Sequence, residues 1–187
     1  MAAVSGIVEV TRALDFAARK HAAQRRKGIL AEPYVNHLAE VALLLAEATD
    51  GGDPGLVAAG LLHDTLEDTP TSRAELAAAF GEEVARLVEE VTDDKTLDRE
   101  RRKLLQVQEA PRKSLRARMI KIADKIANLR SIADSPPLGW SSRRKQEYVA
   151  WARQVAEACG RTNERLEMQF HEAAQRAAGP HGGCGTP

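Results

Sequence analysis

The chain has 187 residues, enough for one domain that encloses a core without disulfide support. Its 27 basic residues balance 27 acidic ones, so neither a nucleic-acid partner nor a membrane surface is expected, and any anionic ligand must be met by a local basic cluster. Cys159 and Cys184 lack metal-type spacing, no apolar run approaches the roughly 18 residues of a membrane span, and the N-terminus lacks a signal peptide's layout, so a cytoplasmic setting is expected.

Apolar residues recur at helical spacing nearly everywhere and no stretch alternates with period two, which predicts an all-α domain. The first helix is expected from about Val8 to Arg26, followed by a loop from Gly28 to Pro33. Leu38, Val41, Ala42 and Leu45 stripe a second helix from Val35 to about Thr49. Asp53-Pro54 is an N-cap with proline at the first helical position, and it starts a helix running to about His63. Ser72 and Glu75 have capping-box spacing for the next helix, which Phe80-Gly81 ends. Val84, Leu87, Val88 and Val91 stripe another, and a further helix from about Asp98 to Glu109 stops before Pro111. A long helix from about Leu115 to Ala133 cannot continue through Pro136-Pro137. Residues from Ser141 to Ala158 follow, ended by Gly160, and Thr162 is expected to cap a last helix to about Ala178. The glycine- and proline-rich residues 179–187 read as a disordered tail behind one domain of residues 1–178.

Three places in this pattern carry unusual chemistry. Ala58 to Leu62 lead directly into His63-Asp64 at the end of a helix that should be buried. An unpaired buried carboxylate costs several kcal/mol, and a divalent cation is one of few partners that suits both imidazole and carboxylate. A helix terminus at the surface, where a His-Asp pair is ordinary, is the alternative. Asp124 sits among Met119, Ile120, Ile122, Ala123, Ile126, Ala127 and Leu129, where it needs a strong partner. On a solvated face it would instead pair Lys121 or Lys125, worth only about 0.3–0.5 kcal/mol. His37 begins an apolar helix, where a lone histidine is ordinarily a hydrogen-bonded core residue.

The order His, His-Asp, Asp resembles the pattern of the HD superfamily. His63-Asp-Thr-Leu-Glu-Asp-Thr69 is similar to the HD-x-x-ED-T signature of RelA/SpoT-type alarmone hydrolases. His21-Ala-Ala-Gln-Arg-Arg-Lys27 with Pro33-Tyr-Val-Asn-His37 resembles their first motif, and Ile120-Lys-Ile-Ala-Asp124-Lys-Ile-Ala-Asn128-Leu-Arg130 their I-K-x-A-D helix. Val91-Thr-Asp-Asp-Lys-Thr96 is shared in particular with the stand-alone small hydrolases of that family, and the resemblance spans about residues 10 to 175.

The resemblance implies a compact HD-type helical bundle with a single Mn²⁺ on His37, His63, Asp64 and Asp124, ligand types that suit that ion. It makes Glu67 and Asp68 the catalytic pair that orients water and accepts its proton. On residues alone, an acidic cap for the following helix is the preferred role for these two. The resemblance gives substrate contacts to Arg26, Lys27, Asn128, Arg144 and Tyr148; without it they are a basic helix end and polar residues on solvated faces. Leu38 replaces a proline usual after the metal histidine, and Ala127 replaces a bulkier residue, a change expected to reshape the base or ribose pocket. The implied reaction removes the 3′-pyrophosphate of guanosine tetra- or pentaphosphate, giving GDP or GTP. The alternatives are an adenine alarmone, the 2′-phosphate of NADPH, or a catalytically silent nucleotide sensor. The partner is thus a small nucleotide, and no feature of the sequence sets an oligomeric state.

Overall fold

The computed structural model describes residues 5–179, so the expected tail beyond Gly179 lies outside the described residues. The helices, in chain order, are α1 (Gly6–Lys20), α2 (Val35–Ala48), α3 (Pro54–Leu62), α4 (Thr65–Asp68), α5 (Arg73–Phe80), α6 (Glu82–Val91), α7 (Arg99–Glu109), α8 (Leu115–Asp134), α9 (Ser142–Cys159) and α10 (Glu164–Ala178). A 3₁₀ turn, Ala110–Arg112, joins α7 to α8, and among the described residues β-pairing is confined to two isolated bridges, Arg25 with Pro33 and Gly28 with Pro137. The protein is all-α, and no helix of the described residues is long and apolar enough to cross a membrane.

Local chemistry explains most of the boundaries. Asp53 accepts from the Leu56 N–H at 2.9 Å with Pro54 in the first turn, and a cap of this kind contributes about 1 kcal/mol. Ser72, Asp98, Ser114 and Ser141 cap α5, α7, α8 and α9 in the same way. Gly81 closes α5 at φ 88°, a conformation that a side chain would strain.

Two expected boundaries are corrected. The first helix stops at Lys20 rather than Arg26, because the following residues spend their backbone groups on each other: Arg26 N–H donates to Glu32 O at 2.9 Å, and Tyr34 N–H to Gln24 O at 3.1 Å. Asn163, not Thr162, caps the last helix, since its Oδ1 accepts from both Arg165 and Leu166 N–H groups. The single turn of α4 is too short to show a period and was not expected.

Helix α8 lies at the centre and touches α2, α3, α6, α9 and α10. Helix α3 is buried on every side from Leu56 to Leu62, which accounts for its unbroken apolar run. It passes so close to α2 that a Cβ on Gly60 would meet Leu45 Cδ1 at 2.4 Å. Leu45 is fully buried, so its side chain must shift within the packed core to admit that Cβ. Gly60→Ala is therefore expected to cost about 1–3 kcal/mol in a denaturant titration. An unchanged midpoint would show that the α2–α3 contact yields more easily than its packing implies.

Candidate active site

The site forms where the end of α3, the start of α2 and the middle of α8 meet. His63 follows the last residue of α3, and its Nδ1 lies 2.8 Å from the Gly60 carbonyl. A carbonyl only accepts, so Nδ1 carries a proton, and in the neutral ring Nε2 is the nitrogen open to an ion. That Nε2 is buried and makes no hydrogen bond, although Asp64 Oδ2 is 3.0 Å away, because the geometry between them is poor. His37 Nε2 faces the same point, 3.4 Å from Asp124 Oδ1 and 3.7 Å from Asp64 Oδ2. Ligand atoms of His37, His63 and Asp124 all lie within 4.8 Å of one another, with Asp64 beside them. Both imidazoles are buried. Buried nitrogen lone pairs and two carboxylates turned on one point are the donor set of a divalent cation, and the residues fit such an ion.

The electrostatics divide the two imidazoles. Burial foremost lowers the pKa of His37 and favours the neutral form that a metal requires. Burial also opposes charge on His63, but the Asp64 and Asp124 carboxylates outweigh it and push its pKa up to about 10. Burial would raise both carboxyls. The His63 imidazole nevertheless holds Asp64 below the usual carboxylate range, and the Lys125 ammonium does the same for Asp124. The concentration of negative charge is thus real, and positive charge is drawn to it.

Hydrogen bonds fix the carboxylates. Tyr34 donates its hydroxyl to Asp64 Oδ2 at 2.6 Å, and burial together with Asp64 keeps that phenol protonated. Lys125 donates to Asp124 Oδ2 at 2.7 Å and lies 4.7 Å over the Trp151 ring. This is the pairing anticipated for a solvated face, yet Lys125 is only 3% exposed, so the pair is interior. Asn128 donates to Asp124 Oδ1 at 2.6 Å and accepts from Arg26 Nη2 at 3.0 Å, which aligns the amide with the carboxylate on one side and the guanidinium on the other.

Glu67 and Asp68 lie on the turn of α4 and line the same cavity of about 360 Å³ as His63, Asp64 and Asp124. Glu67 accepts from the Asp93 N–H at 3.4 Å and stands 3.5 Å from Arg102 Nη1; burial, then Asp93 and Asp64, push its pKa up. Asp68 accepts from Gln24 Nε2 at 3.0 Å through one oxygen and pairs with Lys95 through the other. Neither side chain caps a helix, the role their residue types suggested in isolation.

The remaining anticipated residues divide into two groups. Lys27, Asn128 and Tyr148 line the cavity, and Arg26 joins them in an adjoining one of about 380 Å³ whose wall includes Ile132, Pro137 and Trp140. Arg26 stands 5.9 Å from the Tyr34 ring centroid and belongs to the loop after α1, which corrects its placement at a helix end. Arg144 lines a third, outer hollow, its guanidinium 4.9 Å from the Trp140 ring centroid. Burial pushes the pKa of Tyr148 up to about 12, so its hydroxyl is a donor at neutral pH. Ala127 is wholly buried and lines neither cavity; the expected effect of this residue on the pocket is not seen, because its methyl faces the core. Leu38 is likewise fully buried, packed in the core of the α2 face.

Sequence reasoning missed Tyr34, Asp93, Lys121, Arg99 and Arg102. Lys121 is 8% exposed and donates to Asp93 Oδ1 at 3.1 Å. The signal was present: two lysines flank Asp124 within a run of otherwise apolar residues, and such lysines are buried only when paired.

The family profile described as "HD domain" matches residues 13–161. The chain belongs to the HD-domain family. This HD domain is 48% identical over 163 residues to human "Guanosine-3′,5′-bis(diphosphate) 3′-pyrophosphohydrolase MESH1", covering 87% of the chain and 91% of that protein. The Drosophila melanogaster protein of the same name is 43% identical, covering 85% and 89%. A "Guanosine-3′,5′-bis(diphosphate) 3′-pyrophosphohydrolase" of Aquifex aeolicus is 40% identical over 131 residues, but the HD domain covers 66% of the chain and only 18% of that longer protein. Among solved structures, one described as "A metazoan ortholog of SpoT hydrolyzes ppGpp and plays a role in starvation responses" superposes with a TM-score of 0.86 at 39% identity, covering 95% of this chain and 99% of the other.

Proposed function

We propose that the chain is a Mn²⁺-dependent hydrolase that removes the 3′-pyrophosphate of guanosine 3′,5′-bis(diphosphate), releasing GDP and pyrophosphate. The observation that carries this is the convergence of His37, His63, Asp64 and Asp124 on one point, with His63, Asp64 and Asp124 sharing a cavity with the Glu67-Asp68 turn. The names of relatives matched over nearly their full length supply the substrate class.

In this reading the cation is held by His37, His63, Asp64 and Asp124, and when bound it supplies Lewis acidity toward a phosphoryl oxygen and acidifies water. The chain does the rest. Gly60 O and Tyr34 Oη orient His63 and Asp64, so that the ligand set is formed before substrate arrives. Glu67 and Asp68 orient the attacking water and take its proton; burial, with Asp93 and Asp64 nearby, raises the pKa of Glu67 and makes it a stronger base than a solvated carboxylate. Water attacks the phosphorus attached to the ribose 3′ oxygen and that P–O bond breaks; the 3′ oxygen takes a proton to become the hydroxyl of GDP, and pyrophosphate departs with the oxygen of water. Lys27, Arg99, Arg102, Lys121 and Lys125 line the cavity and offset the negative charge of the diphosphate and its transition state. Arg26, Asn128 and Tyr148 face the nucleoside part, where a guanidinium or phenol ring can lie on a purine. Residues 1–178 are proposed to act as one catalytic domain.

Product analysis across guanosine 3′,5′-bis(diphosphate), its adenine counterpart and NADPH tests the substrate. Fastest release of GDP from the guanine compound supports the proposal, and preference for either other compound would replace it.

Arg26→Ala isolates the nucleoside contact. Its guanidinium makes one charge-assisted hydrogen bond in the free protein, to Asn128, and the loop is not part of the core. The variant is expected to lose about tenfold or more in kcat/KM, with the unfolding midpoint nearly unchanged. Unaltered kinetics would return Arg26 to a solvated loop charge.

A further inference from the structure

His21 and Gln24, in the first of the family-like motifs, have no part in the chemistry above. Yet His21 is 2% exposed, although it is the first residue after α1, and a polar ring is not buried at a helix end without cause. Its Nδ1 lies 2.6 Å from Gln24 Oε1, and Gln24 Nε2 donates to Asp68 Oδ2 at 3.0 Å. The chain of bonds admits one arrangement of protons. A carboxylate only accepts, so the amide nitrogen of Gln24 must face Asp68 and its oxygen must face His21. That oxygen in turn requires the His21 proton on Nδ1. The other ring nitrogen, Nε2, is buried with no hydrogen-bond partner among the described residues, so the ring is not held from that side. It is held instead by stacking on Tyr34, with ring centroids 5.2 Å apart and planes 22° apart. Tyr34 is the residue that donates to Asp64.

We infer that His21 and Gln24 are positioning residues for Asp68. Gln24 commits Asp68 Oδ2, and His21 fixes the direction of the Gln24 amide. The second oxygen, Oδ1, is paired only with Lys95 among the described residues, an exposed side chain that substrate can displace. The proton from water is therefore received at Oδ1, at a point set by a buried ring rather than by solvent. The same ring, through Tyr34, ties the position of Asp68 to that of Asp64. This rests on the proton-accepting role proposed for Asp68.

Steady-state kinetics of the full chain loaded with Mn²⁺, on guanosine 3′,5′-bis(diphosphate), tests the inference, with bound Mn²⁺ and melting temperature recorded for every variant. Gln24→Ala is expected to lose about ten- to one-hundredfold in kcat, the size of a lost hydrogen bond to a charged group. KM should stay within about twofold and metal content should not change. His21→Asn keeps a donor near the place of Nδ1 and should retain most activity, whereas His21→Leu should match Gln24→Ala. The double variant, His21→Leu with Gln24→Ala, should lose no more than Gln24→Ala alone, since both break one chain. Should His21→Leu fail to fold, the Gln24→Ala result decides by itself. A wild-type kcat in Gln24→Ala, while Asp68→Asn is inactive, overturns the positioning role and leaves the proposal for Asp68 standing. Wild-type turnover in Asp68→Asn removes the base itself, and with it anything for Gln24 to position. A lower melting temperature with unchanged kcat in Gln24→Ala reduces the pair to a structural brace.

Discussion

Replacing Glu67 by Gln together with Asp68 by Asn is expected to lower turnover by at least about two orders of magnitude while leaving the bound metal in place. The two amides preserve shape and most hydrogen bonding. The amide at 67 can still accept from the Asp93 N–H, and the amide at 68 can still accept from Gln24 through its single oxygen, giving up only the exposed pairing with Lys95. What they lose is the ability to take a proton, which general acid–base catalysis typically turns into a factor of about 10²–10⁴. Neither residue belongs to the cluster of ligand atoms formed by His37, His63 and Asp124 with Asp64 beside it, so metal content should survive. Nucleotide binding should survive as well, because the basic lining of the cavity is untouched. Retention of more than roughly a tenth of wild-type turnover would be a loss far below that range and would leave water activation to the metal alone. Loss of the metal would place one of the two carboxylates in the coordination shell.

Stripping the metal is expected to abolish turnover and to soften the fold in the same step. Without a cation, the Asp64 and Asp124 carboxylates have only the two buried imidazoles to offset their charge at this point. An ion that binds only the folded chain stabilises it by about 2.7 kcal/mol at a hundred times its dissociation constant. Chelation should therefore lower the melting temperature, and titration back should raise it with the return of activity. Mn²⁺ should restore turnover best, since imidazole and carboxylate ligands with room for water suit it. Full activity in a chelator-treated, metal-free sample would remove the mechanism.

The helices were legible in the sequence because their termini are written in it. Asp53-Pro54 and Ser72 are caps whose oxygens reach the expected N–H groups, and the helices expected from about Asp98 and Ser141 start there because those side chains cap them. The failures are equally local. The region after Lys20 looks helical by residue type, but its backbone bonds run to Glu32 and Gln24 across a loop, which periodicity does not register. The short turn of α4 has no period to find.

At the site, the sequence isolated His63-Asp64 and Asp124 because each is a polar residue in apolar surroundings that needs a partner. That the groups meet, and that His37 joins them, depends on the packing of α2, α3 and α8, which separation along the chain does not reveal. The supporting residues were harder still. Lys121 and Lys125 read as surface charges, and only the packed structure turns them inward against Asp93 and Asp124. Tyr34 carries no signal beyond its place before His37, since the carboxylate it serves is thirty residues away.

The most direct measurement follows the oxygen of water. The Mn²⁺-loaded chain is incubated with guanosine 3′,5′-bis(diphosphate) in ¹⁸O-labelled water, and the products are weighed by mass spectrometry. Attack on phosphorus at the ribose 3′ position yields unlabelled GDP and pyrophosphate carrying the label, in equal amounts and only with metal present. Label in the nucleoside, release of orthophosphate in place of pyrophosphate, or no reaction at all would contradict it.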